Sequence, residues 1–552
     1  MEQHIATPPV SSILEAPASL GHAEELLHAR ISGTECLIRG LPESSVLEAS
    51  LAGPGDLWHS GLLRGCGGVL SEIVYYLQVY SYYLNDVDAN LRSVSWRVDP
   101  SAFAIRSSVW EALDGFDVAY ESEAARALDL GFRALQNGGI PLHVPGLFES
   151  KDQRAATQFV LSREDVYLFF CRHFKREYRL YALIREAIKR RSPAGEFRAF
   201  REAEARAADM PPPRTVAIRP RVLIQARPAG PRVSAIIPTL RRQDYTARLL
   251  DDYTKQTLPL HQVIVVDATP EAERDESVYE KFSSSLPLEV IWQESLGSCR
   301  ARNEAISLCT GDYILFADDD TRVPPDFVEN HVRLLETYRA EASQGLDVRA
   351  DHHQQTIDDL ARKLESYHGR GDRIGVSRSF NNANSCVRRD WVEACVGNDV
   401  NFDGGYGEDW DFGFRIIERG GVLLYNPFSA NLHLKPPSGG FRWWGEQAKL
   451  RRRRKVRQPW EVNRQVGWLK PRPSPTILYA MLKHYTSEQV REWLYVYLLR
   501  SWWPTFARPE ESRAKRILLF PFRLLGTPRT LLRIRSSFKF ASDLVRRGQR
   551  FN

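Results

Sequence analysis

An α/β protein built on a doubly wound mixed sheet is the fold class that the sequence predicts, because three short apolar runs have the character of buried strands. Val233–Ile237, Gln262–Asp267 and Tyr313–Phe316 are short and rich in β-branched or aromatic residues, as strands covered on both faces are. Pro238 closes the first run, and a helical pattern that begins after Gly297 precedes the third. Ligands of such sheets bind beyond the carboxyl ends of the strands. The polar residues that follow these runs are therefore candidate site residues.

An acidic triplet, Asp318-Asp319-Asp320, directly follows the third run. Two charges about 4 Å apart cost about 4 kcal/mol at an effective dielectric constant near 20, so three adjacent carboxylates favour a bound cation. In an extended chain Asp318 and Asp320 point to the same side. Two oxygen ligands on one side suit Mg²⁺ or Mn²⁺, which in turn hold phosphate. The alternative is a solvated acidic turn that caps a helix starting near Pro324-Pro325.

The composition is that of a soluble globular protein. At 552 residues the chain exceeds one ordinary core, so about two to four domains are expected. Its seven cysteines are an odd number without CxxC spacing, which predicts free thiols in a reducing compartment. The start of the chain lacks the pattern of a signal peptide, and no apolar run reaches the ~18 residues that span a bilayer. We therefore expect a cytoplasmic protein, associated peripherally with the inner face of the membrane.

An internal repeat links the two halves of the chain. Asp129–Arg133 reads DLGFR and Asp411–Arg415 reads DFGFR, and both are followed at the same spacing by a Gly-Gly pair and a proline. The N-terminal copy has Arg126 and Ala127 where the later copy has an acidic pair. The remaining counterparts are Gly40–Pro42 for the acidic triplet, approximately, and Lys151 for His433. This predicts a structural or acceptor-handling module that cannot hold a metal–nucleotide complex; the alternative is chance similarity of two amphipathic helices.

Four regions follow from these patterns. They are a degenerate half domain at 1–150, a helical segment with a Pro-rich linker at 151–230, the main domain at 231–440, and a basic helical region at 441–552. The basic region has 26 Lys or Arg against 7 Asp or Glu, although the whole chain has a net charge of only +6. Arg451–Lys455 and Trp460 begin a series of basic and aromatic residues typical of helices that lie on anionic membranes. Nucleic acid is a less favoured partner for such a patch, and a solvated or self-packed helical region is the third alternative.

Further candidate residues lie near predicted helix starts. Arg300 and Arg302 fall in the first turns after Gly297, where free N–H groups and guanidinium groups can bind phosphate, although a solvated face is the alternative. Glu408 and Asp409 follow Gly405-Tyr-Gly407 in another first turn, where acids also complement the helix dipole by about 0.3–1 kcal/mol each. A lone histidine such as His433 is otherwise often a core residue.

Taken in order, these motifs resemble the family 2 glycosyltransferases, which have the GT-A fold. The resemblance covers roughly residues 233–437 and includes Ala301-Arg302-Asn303. It implies a nucleotide-sugar donor, a hydroxyl acceptor on a glycan or lipid-linked precursor, and a divalent cation, Mn²⁺ or Mg²⁺. For the donor, it implies that the Pro238-Thr239 turn and Asp267 receive the uracil and ribose. Arg300 and Arg302 would contact the phosphates.

The resemblance also implies roles for the acidic residues. Asp318 would lie near the ribose, and Asp319 beside the nucleotide. The implied metal ligands are Asp318, Asp320 and His433. Asp409 would remove the proton of the acceptor hydroxyl in an inverting displacement, and Glu408 would bind or orient the acceptor.

Three further segments carry weaker expectations. Residues 336–375 read as a polar, solvated insertion with a helical charge pattern, in which Asp351-His352-His353 is not expected to bind a second metal. Asn381–Asn384 is expected to line the sugar pocket. Ser438–Arg442 reads as a mobile loop over the phosphates, with Arg442 as a weak candidate.

Two kinds of alternative remain open from the sequence. One is another enzyme of the same fold, either a retaining transferase or a nucleotidyltransferase. The other is a non-catalytic membrane-associated scaffold. The Gln-x-x-Arg-Trp signature of processive synthases is absent from the sequence, so a polymer-extruding synthase is not expected.

Overall fold

Two β-sheets organise the chain in the computed structural model. The described residues are 26–60, 78–148, 161–216, 218, 230–294, 296–366, 373–403, 405–434, 436–441, 470–502, 518, 521–522 and 524–551. The chain separates into unit 1, which comprises Met1–Ser71 and Asp86–Arg219, and unit 2, which comprises Glu72–Asn85 and Pro220–Asn552. A short segment from the N-terminal part of the sequence therefore belongs to the C-terminal unit.

Unit 1 contains a six-stranded sheet and six helices in its described part. Its strands are β1 (Leu27–Ile31), β2 (Thr34–Arg39), β3 (Leu57–His59), β4 (Ser93–Val94), β5 (Phe103–Arg106) and β6 (Pro141–His143). Its helices are α1 (Ser44–Leu51), α2 (Ser107–Leu113), α3 (Glu123–Gln136), α4 (Arg163–His173), α5 (Arg176–Arg190) and α6 (Pro193–Ala208). The strand order is β1-β2-β5-β3-β6-β4. Phe103, Ile105 and Leu130 belong to the apolar core between this sheet and helices α2 and α3.

Unit 2 contains the larger sheet. Its strands are β7 (Val233–Thr239), β8 (Gln262–Asp267), β9 (Leu288–Trp292), β10 (Tyr313–Ala317), β11 (Thr321–Arg322), β12 (Ala342–Arg349), β13 (Gly375–Val376), β14 (Asn384–Arg388) and β15 (Leu423–His433). Its helices are α7 (Gln243–Tyr253), α8 (Ser277–Glu280), α9 (Ser298–Leu308), α10 (Phe327–Tyr338), α11 (Ile357–Glu365), α12 (Arg389–Ala394), α13 (Glu408–Glu418), α14 (Pro475–His484), α15 (Ser487–Trp502) and α16 (Thr527–Arg547). A 3₁₀ helix at Gln78–Tyr83 also belongs to this unit.

The nine strands of unit 2 form the predicted mixed α/β sheet. Their order is β11-β15-β12-β14-β10-β7-β8-β9, with β13 paired to β15. Strands β10, β7, β8 and β9 are parallel, whereas β14 runs antiparallel to β10. Since β7 lies between β8 and β10, the chain winds outward in both directions from β7. The crevice at such a switch point, beyond the carboxyl ends of β7 and β10, is where ligands of doubly wound sheets bind.

The expectation for residues 336–375 is wrong in part. Ala342–Arg349 is strand β12, which pairs with both β14 and β15 and is buried at Ala342, Ser343, Gln344 and Gly345. Its polar side chains misled the prediction because they are satisfied inside the sheet: the Ser343 hydroxyl, for example, bonds with His331 Nδ1 at 2.8 Å. Among the described residues of this segment, the loop 351–356 and helix α11 have the solvated character that the sequence predicts.

The basic region is only partly described. Arg451–Lys455, Trp460 and Trp468 lie outside the described residues. Helix α14 packs into unit 2, with Leu478 and Tyr479 buried, so this part of the region is core and not an exposed surface. Helix α16 has one buried face and one exposed face. Ser537 and Ala541 are buried, whereas Leu531, Phe538 and Val545 are exposed. Among the described helices, none has the combination of length and apolarity needed to cross a membrane.

Candidate functional site

The switch-point crevice of unit 2 contains the predicted nucleotide and metal residues. Strands β7 and β10 run side by side, with Phe316 opposite Ile236, so the residues that follow both strands meet at one edge of the sheet. The Thr239 hydroxyl donates a hydrogen bond to Asp319 Oδ2 at 2.8 Å. Asp267 ends the next strand, opposite Thr239. The structure therefore brings together Pro238, Thr239, Asp267 and the acidic triplet.

A group of three potential metal ligands stands beside this edge. One ligand atom from each of Asp318, Asp320 and His433 lies within 4.8 Å of the others. His433 arrives there because the short strand β11 pairs with β15, which places Thr321 opposite His433. The backbone N–H of Leu434 also donates to the carbonyl of Asp320 at 2.8 Å. Across the described residues, this is the one such group that the structure contains.

The surroundings of His433 fit a metal ligand. Its Nδ1 lies 3.0 Å from Asp347 Oδ1, and its Nε2 lies 3.3 Å from Asp320 Oδ1. A carboxylate on one ring nitrogen fixes the tautomer and orients the other nitrogen toward a metal. If Nδ1 carries the only proton, the lone pair of Nε2 faces a carboxylate oxygen, and this contact requires a cation or a second proton. Although burial lowers the pKa of His433, the charges of Asp320 and Asp347 raise it well above its usual value.

Arg242 is a site residue that the sequence analysis missed. Its Nη1 lies 3.1 Å from Asp319 Oδ1 and 3.0 Å from Asp320 Oδ2. The same guanidinium donates to the carbonyls of Ser438 and Gly439, both at 3.1 Å. Arg242 thus connects the acidic triplet to the glycine loop that was predicted to lie over the phosphates. Its position three residues beyond Thr239, at the end of a strand, is the signal that could have identified it.

The three aspartates of the triplet have different environments. Burial raises the pKa of Asp319 to about 7, with Arg242 opposing and Asp320 adding to the shift. Burial also acts to raise the pKa of Asp320, but His433 and Arg242 together hold it below its usual range. Asp318 is partly exposed and accepts a hydrogen bond from Arg302 Nη2 at 2.7 Å. In the sequence, Asp319, whose carboxyl group is made easier to protonate by burial, lies between the two predicted metal ligands of the triplet.

Asp267 is buried and already held by its neighbours. Its carboxylate accepts hydrogen bonds from the Tyr279 hydroxyl and from the backbone N–H of Thr269, both at 2.8 Å. Burial, and secondly the charge of Asp267, raises the pKa of Tyr279 far above its usual value. Contact between Asp267 and a uracil stays a prediction.

The two arginines of helix α9 lie in different places. Arg302 reaches Asp318, and its Nε and Nη1 are buried without a hydrogen-bond partner among the described residues. Arg300 instead lies 4.0 Å from Asp403. Asp403 also accepts the N–H of Cys299 at 2.7 Å, so it occupies the helix end that was expected to receive phosphate. The predicted phosphate contact of Arg300 has no support from this geometry and stays a prediction.

The acidic pair begins helix α13, after Gly407 with its left-handed backbone (φ 104°). Asp409 accepts a hydrogen bond from the backbone N–H of Asn382 at 3.2 Å. Burial raises the pKa of Asp409 to about 6, with Arg302 opposing and Asp318 adding to the shift. Since the charges of Arg302 and Asp318 both act on Asp409, the predicted base lies within electrostatic range of one of the predicted metal ligands. Glu408 is buried at the same helix start.

The remaining predicted segments divide between site and core. Asn382 contacts Asp409 through its backbone, whereas Asn384 is buried in the sheet and donates to Asn431 at 2.7 Å. His353 bonds with the Tyr245 hydroxyl at 2.8 Å, and Asp351 pairs with Lys363. Arg442 lies outside the described residues.

The doubly wound mixed sheet of unit 2 is the sheet expected of a GT-A glycosyltransferase. Residues 234–375 match the family model described as "Glycosyl transferase family 2", and residues 313–531 match "Glycosyl transferase family group 2". Each model matches less than half of the chain, and both indicate a family 2 glycosyltransferase domain within residues 234–531.

Known proteins resemble parts of the chain. The uncharacterized glycosyltransferase YwdF of Bacillus subtilis is 26% identical over 187 residues, which are 34% of this chain and 67% of that protein. Poly(ribitol-phosphate) beta-N-acetylglucosaminyltransferase TarS of Staphylococcus aureus is 30% identical over 144 residues, 25% of this chain and 22% of that protein. The solved mannosyltransferase PcManGT from Pyrobaculum calidifontis, in complex with GDP-Man and Mn²⁺, has a TM-score of 0.35 and 17% identity and covers 59% of this chain and 90% of its own. The chain spans less than half the length of most curated relatives that it matches.

Proposed function

We propose that this protein transfers one sugar from a nucleotide-sugar donor to a hydroxyl acceptor, with inversion at the anomeric carbon and with the help of a divalent cation. UDP-sugars are the first donors to test, because the sequence resemblance implies a uracil site. The acceptor would be a glycan or a lipid-linked precursor of a cell-surface polysaccharide. The names of two relatives, TarS and the putative teichuronic acid biosynthesis glycosyltransferase TuaG, support an acceptor of this kind.

The observation that carries the proposal is the convergence of Asp318, Asp320 and His433 within 4.8 Å at the switch point of the sheet. Two carboxylates and an imidazole form a hard ligand set suited to Mn²⁺ or Mg²⁺. An ion bound there would neutralise the diphosphate of the donor and stabilise the departing nucleoside diphosphate. The Nε and Nη1 of Arg302 are buried and have no hydrogen-bond partner in the described part of the chain, which supports an anionic ligand beside Asp318.

Asp409 is the residue that we assign to proton removal from the acceptor. With a pKa of about 6, the carboxylate of Asp409 is ionised at neutral pH. Its pKa is also close enough to the working pH for efficient proton transfer. The Asn382 N–H orients one carboxylate oxygen, so the other can face an acceptor hydroxyl. Glu408, on the preceding residue, would orient that acceptor.

The test is a transfer assay with UDP-, GDP- and dTDP-sugars in the presence of Mn²⁺ or Mg²⁺. Asp320→Ala and Asp409→Asn should each abolish transfer, since general-base catalysis alone contributes about 10²–10⁴-fold. Asp390→Asn is the matched control, because Asp390 forms an exposed pair with Arg388 and should not affect the rate. Appreciable activity in either site variant would refute the role assigned to that residue.

The anomeric configuration of the product separates the proposal from its nearest alternative. NMR of the product should show inversion relative to the donor, whereas retention would indicate a retaining transferase. Release of pyrophosphate with nucleotide transfer would indicate a nucleotidyltransferase. Absence of both transfer and Mn²⁺-dependent donor hydrolysis across the donor panel would favour the non-catalytic scaffold.

We also propose that helix α16 rests on the anionic inner face of a membrane, as a peripheral contact. Leu531, Phe538 and Val545 recur every seven residues, on one helix face, and are 48%, 42% and 43% exposed. Arg535 and Lys539 are exposed on the same helix. An apolar stripe flanked by cations favours anionic lipid.

The protein should co-sediment with phosphatidylglycerol vesicles. Binding should weaken at high salt and in the double variant Leu531→Ser/Phe538→Ser. The control Ile188→Ser, which changes an exposed apolar residue of unit 1, should have no effect on binding. Equal binding to phosphatidylcholine vesicles would contradict the charge contribution.

We infer that the N-terminal region is a degenerate half domain without a metal site. Strands β2-β5-β3-β6-β4 of unit 1 have the same order and the same pattern of parallel and antiparallel pairs as β10-β14-β12-β15-β13 of unit 2. These pairings support a duplication of the second half of the catalytic fold.

A further inference from the structure

A segment from the N-terminal part of the sequence is built into unit 2 beneath the candidate base. In the segment 81–85, the side chains of Ser81, Tyr82, Tyr83 and Leu84 are all buried. They lie more than 290 positions before the residues that they contact through Tyr82 and Tyr83. We call residues 81–85 the strap.

The strap contacts the loop that carries Asn382. The Tyr82 hydroxyl accepts the backbone N–H of Phe380 at 3.0 Å, and the Tyr83 hydroxyl donates to the carbonyl of Ser377 at 3.0 Å. Two tyrosine hydroxyls thus fix the backbone of this loop at positions just before Asn382. The N–H of Asn382 is the one that bonds with Asp409.

The strap also contacts helix α13, which carries Asp409. The Trp410 indole N–H donates to the Ser81 hydroxyl at 3.3 Å, and the Tyr82 ring packs edge-on against Phe414 with ring centroids 4.7 Å apart. A Cβ at Gly413 would overlap the Tyr82 hydroxyl, so the helix surface is shaped to admit this side chain. The strap therefore touches both elements that meet in the hydrogen bond between Asn382 and Asp409.

The other end of the strap is anchored as well. The side-chain amides of Asn85 and Gln489 exchange two hydrogen bonds, at 3.0 and 2.7 Å, and the Tyr485 hydroxyl donates to the carbonyl of Ser81 at 3.2 Å. Gln489 is on helix α15, so the strap is held between the loop, helix α13 and the C-terminal helices. A segment held on three sides has few conformations, which is the condition for positioning a neighbouring group accurately.

We propose that Tyr82 is a positioning residue for glycosyl transfer, which holds the Asn382 loop and helix α13 in the register that orients the Asp409 carboxylate. This inference rests on the proposed function and adds to it a contribution from the N-terminal half of the chain. The role of Tyr82 is indirect, because its recorded hydrogen bond goes to the backbone of Phe380 and not to Asp409. The candidate donor and metal residues lie at the ends of β7, β8, β10 and β15 and on helix α9, and none of the contacts described for the strap involves them.

Tyr82→Phe tests the proposal, because it keeps the ring against Phe414 and removes only the hydroxyl. The N–H of Phe380 would lose its partner, and Asp409 would lose its fixed orientation. Misplacement of a catalytic group can reduce the rate about 10- to 100-fold, so kcat should fall by this factor. The dissociation constant of Mn²⁺ with UDP, measured by titration calorimetry, and the KM for the donor should stay within twofold of the wild-type values.

The pH profile gives a second readout that a purely structural role would not change. Hydrogen bonds to a carboxylate lower its pKa, so loss of the Asn382 N–H contact raises the pKa of Asp409. The acid limb of the profile of kcat against pH should therefore move to higher pH in Tyr82→Phe.

Tyr313→Phe is the matched control. It removes another buried tyrosine hydroxyl, which bonds with Glu336 at the far end of strand β10. We expect both variants to lose thermal stability, but Tyr313→Phe should keep the wild-type kcat and pH profile. If the wild type is active, an unchanged kcat in Tyr82→Phe would overturn the inference. An equal loss of kcat in Tyr82→Phe and Tyr313→Phe would also overturn it. An inactive wild type would instead refute the proposed function.

Discussion

Helix α3 of unit 1 and helix α13 of unit 2 make the same set of contacts with the end of the helix that precedes each of them, α2 and α12. Arg133 donates to the carbonyls of Leu113 and Gly115, which lie 20 and 18 residues before it. Arg415 donates to the carbonyls of Cys395 and Gly397 at the same two separations. In each helix the arginine also pairs with an aspartate four residues earlier, Asp129 or Asp411.

The same correspondence extends to the helix that follows each sheet. His173 ends helix α4 and lies 2.7 Å from Asp129, whereas His484 ends helix α14 and lies 3.0 Å from Asp411. Each histidine ring packs against the phenylalanine of the repeated motif, Phe132 or Phe414, with ring centroids 5.0 and 4.5 Å apart. This part of the repeat was not predicted, because the spacing between aspartate and histidine is 44 residues in one unit and 73 in the other.

The two units differ at the positions of the candidate chemistry. Strand β2 pairs with β5 as β10 pairs with β14, so the two units can be aligned residue by residue. In this alignment Leu41, Pro42 and Glu43 stand where unit 2 has its acidic triplet. The sequence spacing had suggested Gly40–Pro42, which is one residue earlier. Ala127 stands where unit 2 has Asp409. We expect the buried arginine–aspartate contacts to be needed to hold the helix in place in either unit, whereas the candidate metal and base residues are not. A copy can therefore keep its fold after losing its site.

Breaking the shared contact in both units should give the largest effect on stability. Asp129→Ala and Asp411→Ala each leave a buried guanidinium without its partner, which costs about 3–5 kcal/mol. The loss should be larger for Asp411→Ala, because Asp411 also pairs with Lys483 as well as His484. Hydrogen–deuterium exchange, followed peptide by peptide, measures the two units separately.

The exposed pair of Asp390 with Arg388 provides the control for this comparison. Its removal should change stability by less than about 1 kcal/mol. If Asp129→Ala left exchange in helix α3 unchanged, the contact in unit 1 would have no structural role, and the equivalence of the two helices would fail.

A second variant sharpens the difference between the units. Asp347 holds His433 at 3.0 Å, whereas the N-terminal copy has Lys151 at the position of the histidine. Asp347→Asn should reduce Mn²⁺ affinity about 10- to 100-fold, because outer carboxylates orient the metal-bound histidine. Electron paramagnetic resonance titration of Mn²⁺ measures this directly. Unchanged affinity would contradict the role of Asp347 in orienting a metal-bound His433.

The regular part of the site could be predicted from the sequence because it depends on local patterns. Short apolar strands ending in Thr239, Asp267 and the acidic triplet are visible as runs of residues, and parallel strands bring their carboxyl ends together. His433 and Asp409 were added through family resemblance. The structure places a ligand atom of His433 within 4.8 Å of Asp318 and Asp320, and the charge of Asp318 raises the pKa of Asp409.

The rest of the site depends on contacts between distant segments. Asp347 lies on a strand whose polar side chains look solvated in the sequence but are satisfied inside the sheet. Asp403, which occupies the start of helix α9, is about a hundred residues from that helix. Tyr82 lies in the half of the chain where the sequence shows no catalytic motif. Side-chain satisfaction across such separations has no periodic signature, so neither composition nor spacing can indicate it.

The pH dependence of stability gives the smallest of the three effects. Although burial lowers the pKa of His484, its bonds to Asp411 and Glu418 raise the pKa above the usual value. A raised pKa in the folded state contributes stability that is fully present below about pH 6.5 and is lost as the pH rises through the folded value. The free energy of unfolding of unit 2 should therefore decrease by ~1 kcal/mol, a typical hydrogen-bond contribution, between pH 6 and pH 9. His484→Gln can still donate to Asp411 but does not titrate, so its stability, measured by urea unfolding, should vary less over this range. Equal pH dependence in both proteins would show that the bond between His484 and Asp411 does not depend on the imidazolium charge.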